Sequence, residues 1–248
     1  KAMHQRVAKA SKRLEAVSDK TVPPALRSES LAFMEWLLAD NFIFMGVRRY
    51  DWQGTAKEGG LVASTEEKGL GVLADSELRV LREGTTFVTM SPDIRAFLQG
   101  EDPLIITKAG VRARVHRLAH YDYIGIKLFG DDGELQGELR IIGLFTSAAY
   151  SQSVQRIPRL RQKVERALEL TDLDPQSHSG KALINVLETY PRDELFQADA
   201  DELADTAGAI VRLDERPRAR IFTRTDRFDR FVSCLVYVPR ERYDSQVR

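Results

Sequence analysis

The sequence predicts an α+β fold: an antiparallel sheet flanked by helices, followed by a shorter unit of two helices and a hairpin. Two runs predict the sheet, 121–129 (YDYIGIKLF) and 138–146 (ELRIIGLFT). Both have strand period, and Asp132-Gly133 between them is a turn pair that tolerates positive φ. The helices follow from apolar residues at helical spacing in 1–17, 28–40 and 153–170.

Residues 1–17 read as a polar amphipathic helix around Val7, Leu14 and Val17. Residues 28–40 form a second helix, capped by Ser28 or Ser30. Its Leu31, Phe33, Met34, Trp36, Leu37 and Leu38 bury more than one side. Asn41 ends it, and 42–52 is an aromatic and β-branched strand. The Gly-rich, charged stretch 54–71 is expected to be a loop. A short helix over 92–100 follows, with Ser91 as N-cap and Pro92 in its first turn. Strands are expected at 104–107, 111–117, 121–129 and 138–146. In the last of these, Leu139, Ile141, Gly143 and Phe145 alternate with Arg140, Ile142 and Leu144. A strand apolar on both sides belongs at the centre of a sheet covered on both faces.

Residues 153–170 make an amphipathic helix, with Ile157, Leu160, Val164, Ala167 and Leu168 on one stripe. The polar break 172–179, with Pro175, marks a domain boundary. The expected organisation is therefore a helix and linker over 1–27, a first α+β domain over 28–172 and a partial module over 173–248. In the module, Ser179 caps a helix that Pro191 stops. Asp199 and Glu202 resemble a capping box for a helix through Leu213. Strands at 218–225 and 231–239 close the chain, with Ile221, Val232, Cys234, Val236 and Val238 expected on one core face. Both ends read as cut, as in a piece of a longer polypeptide.

Composition narrows the function. The chain has 248 residues, 43% of them hydrophobic, enough for a real core. Lys+Arg and Asp+Glu are both 37, so no whole-chain field draws nucleic acid or an anionic membrane. No apolar run approaches the roughly 18 residues that a membrane span needs. One cysteine, Cys234, excludes an internal disulfide and suits a reducing, cytoplasmic setting. On an apolar strand face it reads as a small buried hydrophobe rather than a nucleophile.

The candidate motifs fail on chemistry. Gly69-Leu70-Gly71-Val72-Leu73-Ala74 spells GxGxxA, but the polar run 64–68 (STEEK) precedes it. A dinucleotide fingerprint needs a buried strand there to aim its glycines. Gly180-Lys181 has Pro175 where a P-loop has its first glycine, and Ala182 cannot ligate magnesium. His116 and His120 are not on one helix face, and His4 and His178 stand alone, so no metal site is expected. No GxSxG elbow appears. In 216–230 (RPRARIFTRTDRFDR), Arg218, Arg220 and Arg224 alternate onto one strand face. Asp214, Glu215, Asp226 and Asp229 interleave with that stretch, which favours a solvated or interface-paired face over a nucleic-acid surface. Arg112, Arg114 and Arg140 lie on strands of the first domain, and form either a clamp for a small carboxylate or an ordinary polar face.

Six runs carry a resemblance. They are FMEWLLADNFIFMGVRRYD (33–51), HYDYIGIKLFG (120–130), GELRIIGLFTSAAY (137–150), IPRLRQKVERAL (157–168), GKALINVLETYPRDELF (180–196) and DRFVSCLVYVPRERY (229–243). Together they resemble the N-terminal half of the large NAD-specific glutamate dehydrogenases. That resemblance implies a PAS/GAF-like first domain and the start of an ACT-like second one. It implies a parent that oxidises L-glutamate to 2-oxoglutarate and ammonium with NAD, its catalytic lysines and cofactor domain lying outside this chain. No catalytic residue and no cofactor are carried over to these positions. The expected role is a regulatory segment sensing a small metabolite such as an amino acid, within a homo-oligomer. The alternative is a purely architectural assembly module.

Overall fold

The structure is a computed structural model that describes residues 1–54, 59–75, 92–113, 118–215, 218–226 and 231–243. It is α+β and divides into two compact units, Lys1–Gln152 and Ser153–Arg248. The polar break around Pro175 lies inside the second unit, between the helices Leu160–Thr171 and His178–Thr189.

In the first unit, an antiparallel sheet of β1 (Phe42–Gln53), β2 (Gly60–Ala63), β3 (Leu70–Gly71), β4 (Leu104–Arg112), β5 (His120–Phe129) and β6 (Leu135–Phe145) runs in the order β2-β1-β6-β5-β4, with β3 also on β1. The doubly apolar strand, β6, is central, between β1 and β5. A bulge between Phe44 and Gly46 inserts one residue into β1. It puts Arg48 and Tyr50 on the same face as Arg140 and Glu138, which stand opposite them.

α1 (Ala2–Glu15) packs on β1 and β5, burying Val7, Ala10 and Leu14, and α2 (Pro24–Trp36) packs on α1. On the sheet's other face, Leu73 of the turn Val72–Ala74 meets Gly46, and Phe97 of α3 (Pro92–Gln99) meets Lys127.

Several expectations are corrected here. α2 starts at Pro24, not Ser28, because Pro24 fits the first helical turn. Ser30 is then interior and donates back to the Leu26 carbonyl at 2.7 Å. The helix ends in a π turn, Leu37–Asn41, where Asn41 Nδ2 donates to the Trp36 and Ala39 carbonyls at 2.9 and 3.1 Å. The stretch 54–71 is not all loop: β2 and β3 are too short to print a period, and the long edge of β1 supports them. The strands expected at 104–107 and 111–117 join as β4, whose register shift between Lys108 and Arg112 carries the chain past Gly110. Residues 114–117 and Ser91 lie outside the described residues.

The second unit holds a 3-10 turn Val154–Arg156, α5 (Leu160–Thr171), α6 (His178–Thr189), α7 (Arg192–Gln197), α8 (Ala200–Glu215) and the hairpin β7 (Arg220–Thr225)–β8 (Val232–Tyr237). The short α4 (Ser147–Ser151) closes the first unit. The expected helix over 153–170 begins only at Leu160, because Pro158 and Arg159, at φ 71°, interrupt it. Ser177, not Ser179, caps α6, accepting from Gly180 N at 3.0 Å. In the expected capping box, Asp199 N donates to Glu202 Oε2 at 3.1 Å. α5, α6 and α8 pack on one another. Lys163 Nζ donates to the carbonyls of Leu195, Phe196 and Ala198 at 2.9, 2.8 and 2.7 Å. A cation thereby completes the C-terminal end of α7.

The hairpin overturns the expected core face. Ile221, Val232 and Val236 are 62, 57 and 58% exposed, and Cys234 is exposed beside them. The opposite face, with Phe222, Arg224, Ser233, Leu235 and Tyr237, is the half-buried one. Strand period identifies two faces but not which one turns inward. Here the Glu194–Arg224 ion pair selects the polar-aromatic face.

Candidate functional site

Two places gather chemistry, one in each unit. In the first, Tyr123, Glu138 and Arg140 form a closed buried network. Arg140 Nη2 donates to Glu138 Oε2 at 3.0 Å and Arg140 Nε to the Tyr123 hydroxyl at 3.0 Å, while that hydroxyl donates to Glu138 Oε1. The guanidinium lies over the Tyr50 ring at 3.9 Å. Burial pushes the Tyr123 phenol well up, against the lowering effect of Arg140. Burial alone would lower Arg140, but its tyrosine and Glu138 neighbours hold its pKa up. Beside them Lys127 donates to the Gly100 carbonyl, and desolvation brings its pKa down to about 8.

Of the three arginines singled out in the sequence, Arg112 and Arg140 stand at different places on the sheet. Arg112 is exposed at the end of β4, its Nε 3.1 Å from His120 Nε2. Arg140 stands opposite Gly125 on β5, whereas Arg112 stands opposite His120. Five residues of strand separate those positions, about 17 Å. Arg114 and His116 lie outside the described residues. His120 Nδ1 is 3.0 Å from the Ala109 carbonyl, and His4 lies against Phe44. Among the described residues, no group of three or more His, Cys, Asp or Glu could hold a metal ion.

The GxGxxA string also has a structural use. Gly71, at φ 61°, pairs with Gly46, and a Cβ on it would strike the Met45 carbonyl. No described helix follows directly; the chain enters the turn Val72–Ala74.

In the second unit, a cleft of about 230 Å³ opens between α7, α8 and the inward face of the hairpin. Arg224 reaches Glu194 in bidentate fashion, Nε to Oε2 at 2.7 Å and Nη2 to Oε1 at 3.1 Å. Phe222 and Leu235 supply apolar wall, and Glu202, Asp205, Thr206 and Tyr190 supply polar groups. Burial, with Glu194 nearby, pushes the Tyr190 phenol up to about 12, so it stays a neutral hydroxyl at ordinary pH. Of the arginine-dense stretch, Arg224 is paired here, Arg220 lies over the Phe222 ring at 4.8 Å and Arg218 is exposed. The sequence reading missed Glu194 because its partner lies 30 residues away, with no local signal joining them.

The first unit thus holds a buried Glu138–Arg140 pair, and the second a Glu194–Arg224 pair beside a small mixed cleft. Two family models match: glutamate dehydrogenase, helical motif 1, over residues 157–216, and glutamate dehydrogenase, ACT2 domain, over 220–248. The cleft is walled by residues from both matches. The chain is 36% identical to an NAD-specific glutamate dehydrogenase of Halomonas elongata over 95% of its length, and 38% identical to that of Pseudomonas aeruginosa over 92%. It is 34% identical to the Mycobacterium tuberculosis enzyme over 87%. The chain spans 14% of the length of the first two relatives and 12% of the third. The chain matches the N-terminal region of the large NAD-specific glutamate dehydrogenases.

Proposed function

We propose that this chain is a non-catalytic regulatory segment of an NAD-dependent enzyme that converts L-glutamate to 2-oxoglutarate and ammonium. NAD would bind elsewhere in the parent polypeptide. What carries the reading is the match over most of this chain to a small share of the NAD-specific glutamate dehydrogenases. In this reading the first unit is a PAS/GAF-like module and the hairpin opens an ACT-like one. The effector site is the cleft rather than the sheet arginines, because Arg140 already serves Tyr123 and Glu138 and Arg112 stands apart. The exposed face of Ile221, Val232 and Val236 packs against further parts of the polypeptide or another subunit of a cytoplasmic homo-oligomer. No helix among the described residues is long and apolar enough to cross a membrane.

Thermal unfolding with a panel of amino acids and nucleotides tests the regulatory role. An effector at tenfold excess over its Kd stabilises the chain by about 1.4 kcal/mol. If no compound shifts a folded sample, the segment serves assembly alone. Turnover of glutamate and NAD by this chain alone would overturn the reading altogether.

A further inference from the structure

We propose that a small cavity between α1 and the sheet of the first unit binds an oxyanion of the phosphate class. This site is separate from the cleft of the second unit and independent of the regulatory reading. The residue spacing of α1 builds it. Arg6, Lys9 and Arg13 recur at i, i+3 and i+7, so they share one side of the helix. Ala10 is buried among them, and its short side chain leaves the space between them open. Leu128 of β5 and Leu139 of β6 supply apolar wall, and Arg49 of β1 and Glu67 complete the lining. The cavity holds about 20 Å³. One water-sized atom, such as one oxygen of an anion, needs roughly 10–15 Å³.

Two cationic groups here lack an acceptor within the protein. Arg6 Nη1 is buried with no hydrogen-bond partner. The Arg13 side chain is half-buried and, among the described residues, makes no hydrogen bond or ion pair. The other cations are matched. Lys9 Nζ and Arg6 Nε share Glu67, at 3.4 and 3.6 Å, and Arg49 meets Asp51 at 2.6 Å and Glu66 at 3.5 Å. Four cations thus face three carboxylates, and the surplus charge falls on Arg13. A guanidinium cannot shed its proton to relieve this, so an anion is what balances it. Arg6 and Arg13 start about 10 Å apart along the helix, a span that an anion with several oxygens bridges better than a single atom does. One oxygen in the cavity meets Arg6, and others at its mouth meet Arg13 and Lys9, as the guanidinium fork favours.

The test is calorimetric titration of the full-length polypeptide carrying this chain with inorganic phosphate at constant ionic strength. Saturable binding is expected. Arg13→Gln and Arg6→Lys should each weaken it roughly ten-fold or more. Arg13 has no side-chain partner to lose, and lysine at position 6 keeps a positive charge toward Glu67, so an unchanged Tm without phosphate serves as the folding control. Should Arg6→Lys lower that Tm, Arg13→Gln alone decides. Arg166→Gln removes an exposed cation of the second unit and should leave binding as it is. Absence of saturable binding overturns the proposal. So does phosphate binding that Arg13→Gln leaves intact, which places the anion elsewhere in the polypeptide. Equal weakening by Arg13→Gln and Arg166→Gln overturns it as well, because net charge rather than this site would then govern the affinity.

Discussion

Gly125 and Glu138 depend on each other. A Cβ at Gly125 would run into Glu138 Oε1 and the Ile105 side chain, so glycine leaves the room in which the carboxylate meets Arg140 and Tyr123. Gly125→Ala should destabilise the chain by about 1–3 kcal/mol, read from the denaturant midpoint. Across the strand from Glu138, Lys127 has a pKa of about 8 instead of 10.5 because burial disfavours its charge. Between those values the unfolded chain holds more protons than the folded one, so stability rises with pH; below about 8 this contribution is flat. From pH 8 to 9.5 the gain should be about 1–2 kcal/mol, and Lys127→Met should abolish it. Chemical denaturation at the two pH values measures the difference. Above pH 10 the raised phenol of Tyr190 acts oppositely, since only the unfolded chain then ionises readily. The sequence signalled Arg140 as a charged residue on a core strand; its partners depend on strand register, which a single strand does not carry.

Among the elements of the second unit, α7 is one that no periodicity announced, for six residues are too few to show one. Its C-terminal end depends on Lys163 of α5, which serves three carbonyls. Lys163→Met should cost about 2–3 kcal/mol, measured by thermal or denaturant unfolding, because those acceptors lose a charged donor. An unchanged midpoint would show that water replaces the ammonium at no cost. The hairpin presents the opposite case, a strand pair whose existence was plain from sequence but whose orientation was not. Cys234 stands on the outward face between Val232 and Val236. In this chain it should react with a disulfide reagent at close to the rate of the unfolded protein. Protection by several orders of magnitude would mean that the face is covered. The bulge at Met45 is a third such feature, since one inserted residue exchanges the faces of everything after it in β1.

For the molecule as a whole, 37 basic and 37 acidic residues cancel, and the arginine-dense stretch gives up Arg224 to Glu194. Binding of a random DNA duplex at physiological salt should therefore be undetectable by fluorescence anisotropy, and a steep salt-dependent affinity would contradict this. The sequence by itself determined the α+β class, the centrality of β6, most helices and the family resemblance, because each rests on local period or on contiguous runs. Tertiary structure alone decided which hairpin face turns inward, that Arg112 and Arg140 stay apart, and that Glu194 meets Arg224. Those outcomes depend on register, bulges and contacts between distant residues, and such pairings leave no trace in the spacing along one strand or helix.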